Sequence, residues 1–292
     1  MNNISISNKT FPLKFIALLS TIRWYNILLT VVAQYFSAYA IGTKAGLSLY
    51  DIVSDYKLHC IVLSSVFCLS SGFIINNFYD FEKDLINRPK STLFNRIISK
   101  NTTLNLYLIF NLIALIIAFL ASFNIFLFFL FFTVALWFYS HKIQKLPFLK
   151  EFIASLLSVT SFFAILLHFS KFYPFIFVFG LFFMTIVYSR ELIKQFINYK
   201  GDVAFTISSI PVILGLEKSI YFTYFIFSIS VLLGVFTILI YTQYIVACYY
   251  IAASILAYIV SYYLVHKHYF KQTNLLFKIM LVAGIATILF IK

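Results

Sequence analysis

Residues 58–90 read LHCIVLSSVFCLSSGFIINNFYDFEKDLINRPK, an apolar run that ends in a group of acids and amides. A helix of about 20 apolar residues spans a bilayer, so this run is a candidate membrane span with a polar end. Asn76, Asp80 and Asp84 follow at four-residue intervals and share one helix face. Burial in lipid does not account for these polar groups, whereas a magnesium ion bound to a phosphorylated ligand does.

The rest of the chain has the same apolar character. Its 292 residues are 62% hydrophobic and only 11% charged, and this composition excludes an ordinary soluble domain. Repeated apolar runs predict an all-α membrane protein that forms one domain over residues 1–292. Nine spans are expected, at residues 14–42, 58–80, 103–121, 123–140, 151–169, 172–194, 219–240, 243–265 and 274–291.

The charges predict how these spans are oriented. The net charge is +13, and with nine spans 18 of the 22 Lys and Arg residues fall on one side of the membrane. The positive-inside rule makes that side cytoplasmic and places the N-terminus there. Seven of the nine acids lie on the same side, so an active site is expected to face the cytoplasm. Because the topology accounts for the basic residues, no nucleic-acid partner is predicted.

A second polar stripe lies at the end of the sixth predicted span. Its members are separated by four, three and four residues, and eleven residues return to nearly the same angle on an α-helix. They are Glu191, Gln195, Asn198 and Asp202. Two interpretations remain open for this stripe: half of a metal–diphosphate site, or a helix that binds lipid headgroups beside the membrane.

Three basic residues near the stripes are candidates to hold phosphate oxygens: Arg88, Arg190 and Lys194. Arg binds phosphate through two parallel hydrogen bonds, and Lys binds it as a point charge. Each of them could instead serve only to orient the membrane spans, as basic residues on the cytoplasmic side do. Likewise, the acids of the first stripe could be a solvated helix end paired with Lys83 and Arg88.

Residues 76–89 resemble the first aspartate-rich motif of the UbiA superfamily of membrane prenyltransferases, Asn-Asp-x-x-Asp-x-x-x-Asp followed by Asn-Arg-Pro. Residues 23–26 resemble the first-helix Arg-x-x-Asn of that family, and residues 190–202 resemble its second motif. Further similarities lie between the fourth and fifth spans and after the second motif, at Tyr139, Ser140, Lys145, Pro147 and residues 211–215.

The resemblance implies a nine-helix bundle in a bacterial or archaeal cell membrane, with Mg²⁺ as cofactor. It implies transfer of a polyprenyl group from its diphosphate to a hydrophobic lipid or aromatic acceptor. The second motif is most similar to the branch that transfers geranylgeranyl groups to geranylgeranylglyceryl phosphate. The implied metal ligands are Asn76, Asp80, Asp84, Asn198 and Asp202, of which the three acids are catalytic. The implied substrate-binding residues are Asn26, Arg88, Tyr139, Lys145, Arg190, Lys194 and Gln195.

The second motif also departs from the family pattern. Gln195 and Asn198 stand where the family has Asp, and Ile197 and Lys200 stand where it has Glu. An amide oxygen can ligate magnesium but brings no charge, so weaker binding of a second metal ion is expected.

Outside that motif, Asn77 replaces an Asp, and Lys150-Glu151 replaces a Gly-Asn. Two hypotheses therefore stand. The first is a magnesium-dependent intramembrane prenyltransferase. The alternative is a catalytically impaired relative that binds prenyl diphosphate or lipid without turnover.

Overall fold

The computed structural model describes residues 11–95, 97–205 and 207–291, and within these ranges the chain is helical and forms no β-strand. Two 3-10 turns, Ile143–Lys145 and Ile288–Phe290, supplement the α-helices. The helices are α1 (Phe11–Thr21), α2 (Trp24–Lys44), α3 (Leu49–Val53), α4 (Tyr56–Tyr79), α5 (Phe81–Asn87), α6 (Pro89–Asn95), α7 (Lys100–Ala121), α8 (Phe123–His141), α9 (Leu149–Thr160), α10 (Phe163–Phe169), α11 (Pro174–Ala204), α12 (Ile210–Leu214), α13 (Leu216–Ile240), α14 (Ile245–His266) and α15 (Phe270–Thr287).

The nine-span prediction is confirmed. Eight segments in the described ranges are long and apolar enough to cross a membrane. A bent pair, Pro12–Thr21 with Trp24–Lys44, makes a ninth when its two members count as one span. The chain is therefore a multi-pass membrane protein. Three basic residues counted for the orientation, Lys9, Arg96 and Lys292, lie outside the described residues.

The first predicted span is two helices rather than one. α1 and α2 meet at an angle of 59°, and Arg23 at the break has the left-handed backbone conformation, with φ of 53°. The Arg23 guanidinium lies 5.3 Å from the centre of the Phe73 ring, within range of a cation–π contact. The break therefore turns a cationic side chain toward α4.

Two other predicted spans also differ from the observed helices. The fifth span is divided between α9 and α10, which are separated by Ser161 and Phe162. The sixth continues ten residues beyond its predicted end, because α11 runs to Ala204. This extension keeps the whole second motif on one helix, so its polar stripe stays in register.

The apolar core has two parts. One cluster packs residues of α2, α4, α7, α8 and α10, and its most buried large side chain is Phe129. The other packs α11, α13, α14 and α15 around Phe182 and Phe277. α11 also contacts α5 and α9. These contacts bring the second motif on α11 against the first motif at the end of α4.

Candidate active site

A charged cavity of about 440 Å³ opens where the two motifs meet. The start of α2, the junction of α4 and α5, the start of α9, the last half of α11 and the start of α15 all contribute to it. The polar residues that line it are Arg23, Tyr25, Asn26, Asn76, Asp80, Lys83, Asn87, Arg88, Tyr139, Gln144, Lys150, Glu151, Arg190, Glu191, Lys194, Gln195, Asn198, Asp202, Lys271, Asn274 and Lys278. Most of the predicted site residues are therefore brought together.

The lining carries more positive than negative charge. It holds eight Lys and Arg residues against four Asp and Glu residues. Within the described ranges, four of the cations form no ion pair: Arg23, Arg190, Lys271 and Lys278. Such a surplus of positive charge attracts a polyanion, and the attraction is strongest in a cleft that holds little solvent. The cavity therefore suits a diphosphate.

Asp80 is held at the cavity by two amide side chains. Gln144 Nε2 donates to Asp80 Oδ1 at 2.6 Å, and Asn76 Nδ2 donates to Oδ2 at 3.2 Å. Asn76 Nδ2 also donates to Gln144 Oε1 at 2.6 Å. Gln144 was not predicted as a site residue, because a single polar residue in a loop gives no periodic signal. The three side chains fix the direction of the Asp80 carboxylate.

The surroundings of Asp80 also change its acidity. Burial raises the pKa of Asp80 above its ordinary value, and the charge of Asp84 adds to this effect. Lys83, Arg23 and Arg88 act in the opposite direction without reversing it. A cation beside this buried carboxylate would stabilise its ionised form, since an opposite charge favours ionisation.

Asp84 differs from Asp80 in its position. Its carboxylate lies 3.6 Å from Arg88 Nη2, an ion pair across one helical turn. Asp84 is absent from the described lining of the cavity, whereas Arg88 is part of it. In this structure Asp84 thus matches the alternative interpretation, an acid at a helix end paired with a basic residue. The role of Asp84 as a metal ligand stays a prediction.

Two contacts join the motifs directly. Lys83 Nζ lies 3.0 Å from Asp202 Oδ1, and the Asp202 side chain is only 1% exposed. The backbone N–H of Gly201 donates to Asn87 Oδ1 at 3.0 Å. A Cβ atom on Gly201 would lie 2.4 Å from that same oxygen, so the close approach requires glycine. The end of α11 is thereby fixed against α5.

The second stripe is buried against the protein rather than spread on a membrane surface. Gln195 is 4% exposed, and its Oε1 accepts a hydrogen bond of 2.8 Å from the backbone N–H of Ile210. Glu191 is paired with Lys194. Arg190 Nε donates to Asn274 Oδ1 at 3.2 Å. These contacts favour a site over a headgroup-binding helix, and they show that the carbonyl oxygen of Gln195 already has a structural partner.

The remaining predicted residues fall in two groups. Asn26, Tyr139 and Asn198 line the cavity, as the substrate and metal roles require. Lys145 is exposed at the end of its 3-10 turn and is absent from the described lining. Lys150, Glu151 and the α15 residues were not predicted as site residues, since only tertiary packing brings them here.

The first motif can hold a magnesium ion. Magnesium binds one or two carboxylates and completes its coordination shell with water and phosphate oxygens. The Asp80 carboxylate and the Asn76 amide oxygen could be the first protein ligands of such a shell. The second motif fits less well, because Asp202 is already paired with Lys83. The described residues contain no cluster of three His, Cys, Asp or Glu side chains that could hold a metal without a ligand's help.

An apolar cavity of about 160 Å³ lies beside the same helices. α2, α9, α11 and α15 line both cavities. For example, α9 contributes Leu156 and Val159 to the apolar cavity, and α11 contributes Phe179 and Met184. The chain thus places a hydrophobic compartment further along the same four helices.

The fold and the cavity define a multi-pass helical membrane protein with a cationic site for a polyanion next to an apolar compartment. The sequence matches the UbiA prenyltransferase family over residues 29–285, and the chain belongs to that family. The predicted fold class and family resemblance are both confirmed.

Named relatives are archaeal enzymes. The chain is 28% identical over 151 residues to the digeranylgeranylglyceryl phosphate synthase of Thermococcus sibiricus, which is about half of each chain (51% of this one and 53% of the relative). It is 28% identical over 205 residues to the synthase of Sulfolobus acidocaldarius, covering 70% of this chain and 71% of the relative.

A solved structure has the same fold. It is a UbiA homologue from Archaeoglobus fulgidus bound to DMAPP and Mg²⁺, with a TM-score of 0.66 and 19% identity. The superposition covers 93% of this chain and 98% of the homologue.

Proposed function

We propose that this protein is a magnesium-dependent intramembrane prenyltransferase. It transfers a polyprenyl group from its diphosphate to a lipid acceptor that carries a hydroxyl group. One observation carries the proposal: a cavity with surplus positive charge and a fixed carboxylate, Asp80, shares α2, α9, α11 and α15 with an apolar cavity further along these helices. A prenyl diphosphate has a polyanionic head on an apolar tail and needs both compartments.

The cations of the lining hold the diphosphate. Arg23 and Arg190 offer planar, two-pronged hydrogen-bonding groups, and Lys271 and Lys278 add point charges from α15. Their charge also stabilises the diphosphate as it leaves, since it gains negative charge when the allylic C–O bond breaks.

Asp80, with Asn76 and Asp84 beside it, would hold the magnesium ion, and Asn198 and Asp202 face the same space from α11. When bound, the ion neutralises diphosphate charge and lowers the cost of breaking the allylic C–O bond. The Asp80–Gln144–Asn76 hydrogen bonds orient the carboxylate before the ligand arrives. Structures of UbiA homologues bound to DMAPP or GPP with Mg²⁺ support a need for magnesium.

The donor and acceptor follow from the relatives. Proteins named digeranylgeranylglyceryl phosphate synthase support a geranylgeranyl donor and a glycerophosphate-type acceptor. The alternative of a ligand-binding relative without turnover is not favoured, because these matched relatives are named as synthases. The loop charges support a cytoplasmic opening for the charged cavity.

The test uses purified protein in lipid nanodiscs with Mg²⁺, geranylgeranyl diphosphate and geranylgeranylglyceryl phosphate. Release of diphosphate together with an ether-linked product is expected. A folded protein that gives no turnover with this pair or with shorter prenyl diphosphates would contradict the proposal. Removal of magnesium with EDTA is expected to stop the reaction, and added Mg²⁺ to restore it.

A further inference from the structure

Glu151 is a buried acid in the cavity with no role in holding the donor. It lies in the first turn of α9, lines the charged cavity and is 2% exposed. Lys150 Nζ lies 3.4 Å from Glu151 Oε1, longer than a strong charge-assisted hydrogen bond. Within the described part of the chain, no group other than Lys150 and the backbone of Glu151 itself donates to either oxygen.

Such a group requires an explanation. Burying an ionised carboxylate is costly unless hydrogen-bond donors satisfy it. An ionised carboxylate only accepts hydrogen bonds. A diphosphate at neutral pH offers it repulsion and no donor. The partner that suits Glu151 is therefore a hydroxyl group of the second substrate.

The position of Glu151 fits a hydroxyl acceptor. Leu156 of the apolar cavity is five residues further along the same helix, roughly 7.5 Å at 1.5 Å per residue. Glu151 thus lies where the charged compartment gives way to the apolar one. A lipid acceptor whose tail runs along α9 would place its polar end here.

The groups that face Glu151 come from three elements. Lys150 precedes it on α9, Tyr139 faces it from α8, and Tyr188 and Glu191 face it from α11. Glu191 is already paired with Lys194. Of the two acids, Glu151 is therefore the one available to take a proton.

We propose that Glu151 is the catalytic base for the acceptor, an inference that rests on the proposed prenyl transfer. The acceptor hydroxyl oxygen forms a bond to C1 of the prenyl group, and its proton passes to the Glu151 carboxylate. The C1–O bond to the diphosphate breaks, and its electron pair leaves with the diphosphate. Lys150 stabilises the ionised carboxylate before each transfer.

The test compares wild type with Glu151→Gln and Glu151→Asp. Glu151→Gln keeps the shape of the side chain, and its kcat is expected to fall about 100-fold, as loss of a general base does, while KM for geranylgeranyl diphosphate stays the same. The rate of wild type is expected to rise with pH as Glu151 ionises, and this rise should disappear in Glu151→Gln. Glu151→Asp should restore part of the rate. Glu217→Gln is the control, since Glu217 is exposed at the start of α13 and outside the described lining.

A second measurement separates this inference from the proposed function. Without acceptor, slow magnesium-dependent release of diphosphate to water should continue in Glu151→Gln, because breaking the donor bond does not need the base. If wild type transfers and Glu151→Gln transfers equally well with an unchanged pH profile, the role of Glu151 is wrong and the prenyl-transfer proposal stands. If wild type releases no diphosphate and transfers nothing, both are wrong.

Discussion

Lys83 and Asp202 form an ion pair, with 3.0 Å between Nζ and Oδ1, that ties the first motif to the second. A lysine thus holds the acid that the family resemblance assigns to metal binding. The pair positions α11 against α5, and it also places a positive charge where a second magnesium ion would sit. The strength of magnesium binding in this protein should therefore depend on Lys83.

Lys83→Met is expected to lower the magnesium concentration that gives half-maximal binding about thirtyfold. A unit charge and a doubly charged ion about 4 Å apart in water interact by about 2 kcal/mol, and this repulsion is lost. Without magnesium the variant should unfold at a lower temperature, since Asp202 is left buried and unpaired. Magnesium titration of thermal stability measures both effects. Lys90→Met, at an exposed position of the same segment, is the control. Equal magnesium affinity in wild type and Lys83→Met would show that the Lys83 charge does not oppose magnesium binding.

Gly201→Ala is expected to destabilise the protein by about 1–3 kcal/mol, the usual cost of overpacking. The added methyl group would meet Asn87 Oδ1 at 2.4 Å and break the link between α5 and α11. The matched control is Gly180→Ala on the same helix, where a Cβ meets no atom within 4 Å. Denaturation in detergent compares the two. Similar stability for both variants would show that the close approach is unimportant.

Asn198→Asp and Gln195→Asp should behave differently, although both restore an acid of the family pattern. Asn198 lines the cavity, so a carboxylate there should tighten magnesium binding. Gln195 uses its carbonyl oxygen to cap the Ile210 N–H, and the shorter Asp loses that contact. Gln195→Asp is therefore expected to lower the unfolding temperature. Tighter magnesium binding by Gln195→Asp without loss of stability would contradict the structural role.

The end of the bundle where α4 begins should lose stability in acid through Asp55. Burial raises its pKa, but the hydrogen bond and charge of His168 outweigh burial and hold the pKa of Asp55 below its ordinary value. A lowered pKa in the folded state means that the stabilisation is present above the unfolded pKa of about 3.9 and is lost as pH falls through the folded value. The unfolding temperatures of wild type and Asp55→Ala should differ at pH 7 and become equal as the pH falls below the folded-state pKa of Asp55. A difference in unfolding temperature that stays constant from pH 7 to this acid range would contradict the role of Asp55.

Helical periodicity was enough to predict much of the site. Asn76 and Asp80 are four residues apart, as are Asn198 and Asp202, and the structure places all four around one cavity. This works because a continuous helix fixes which side chains share a face.

Other parts of the site depend on packing between distant elements. Gln144 and Glu151 are single polar residues in or near a loop, so no spacing marks them. Lys83 adjoins acids of its own motif in sequence, yet its partner is Asp202, more than a hundred residues away. Nor could the sequence show that Gln195 caps a backbone N–H. Such contacts exist only once α5, α9 and α11 have packed together.

The most direct test of the central claim measures transfer by wild type and Asp80→Asn side by side. Both proteins would receive Mg²⁺, geranylgeranyl diphosphate and geranylgeranylglyceryl phosphate in nanodiscs, with product detected by mass spectrometry. Asn keeps the side-chain shape but removes the charge that magnesium requires, so wild type should form the ether-linked product and Asp80→Asn essentially none. Equal product from a folded Asp80→Asn would show that the reaction does not take place at this cavity.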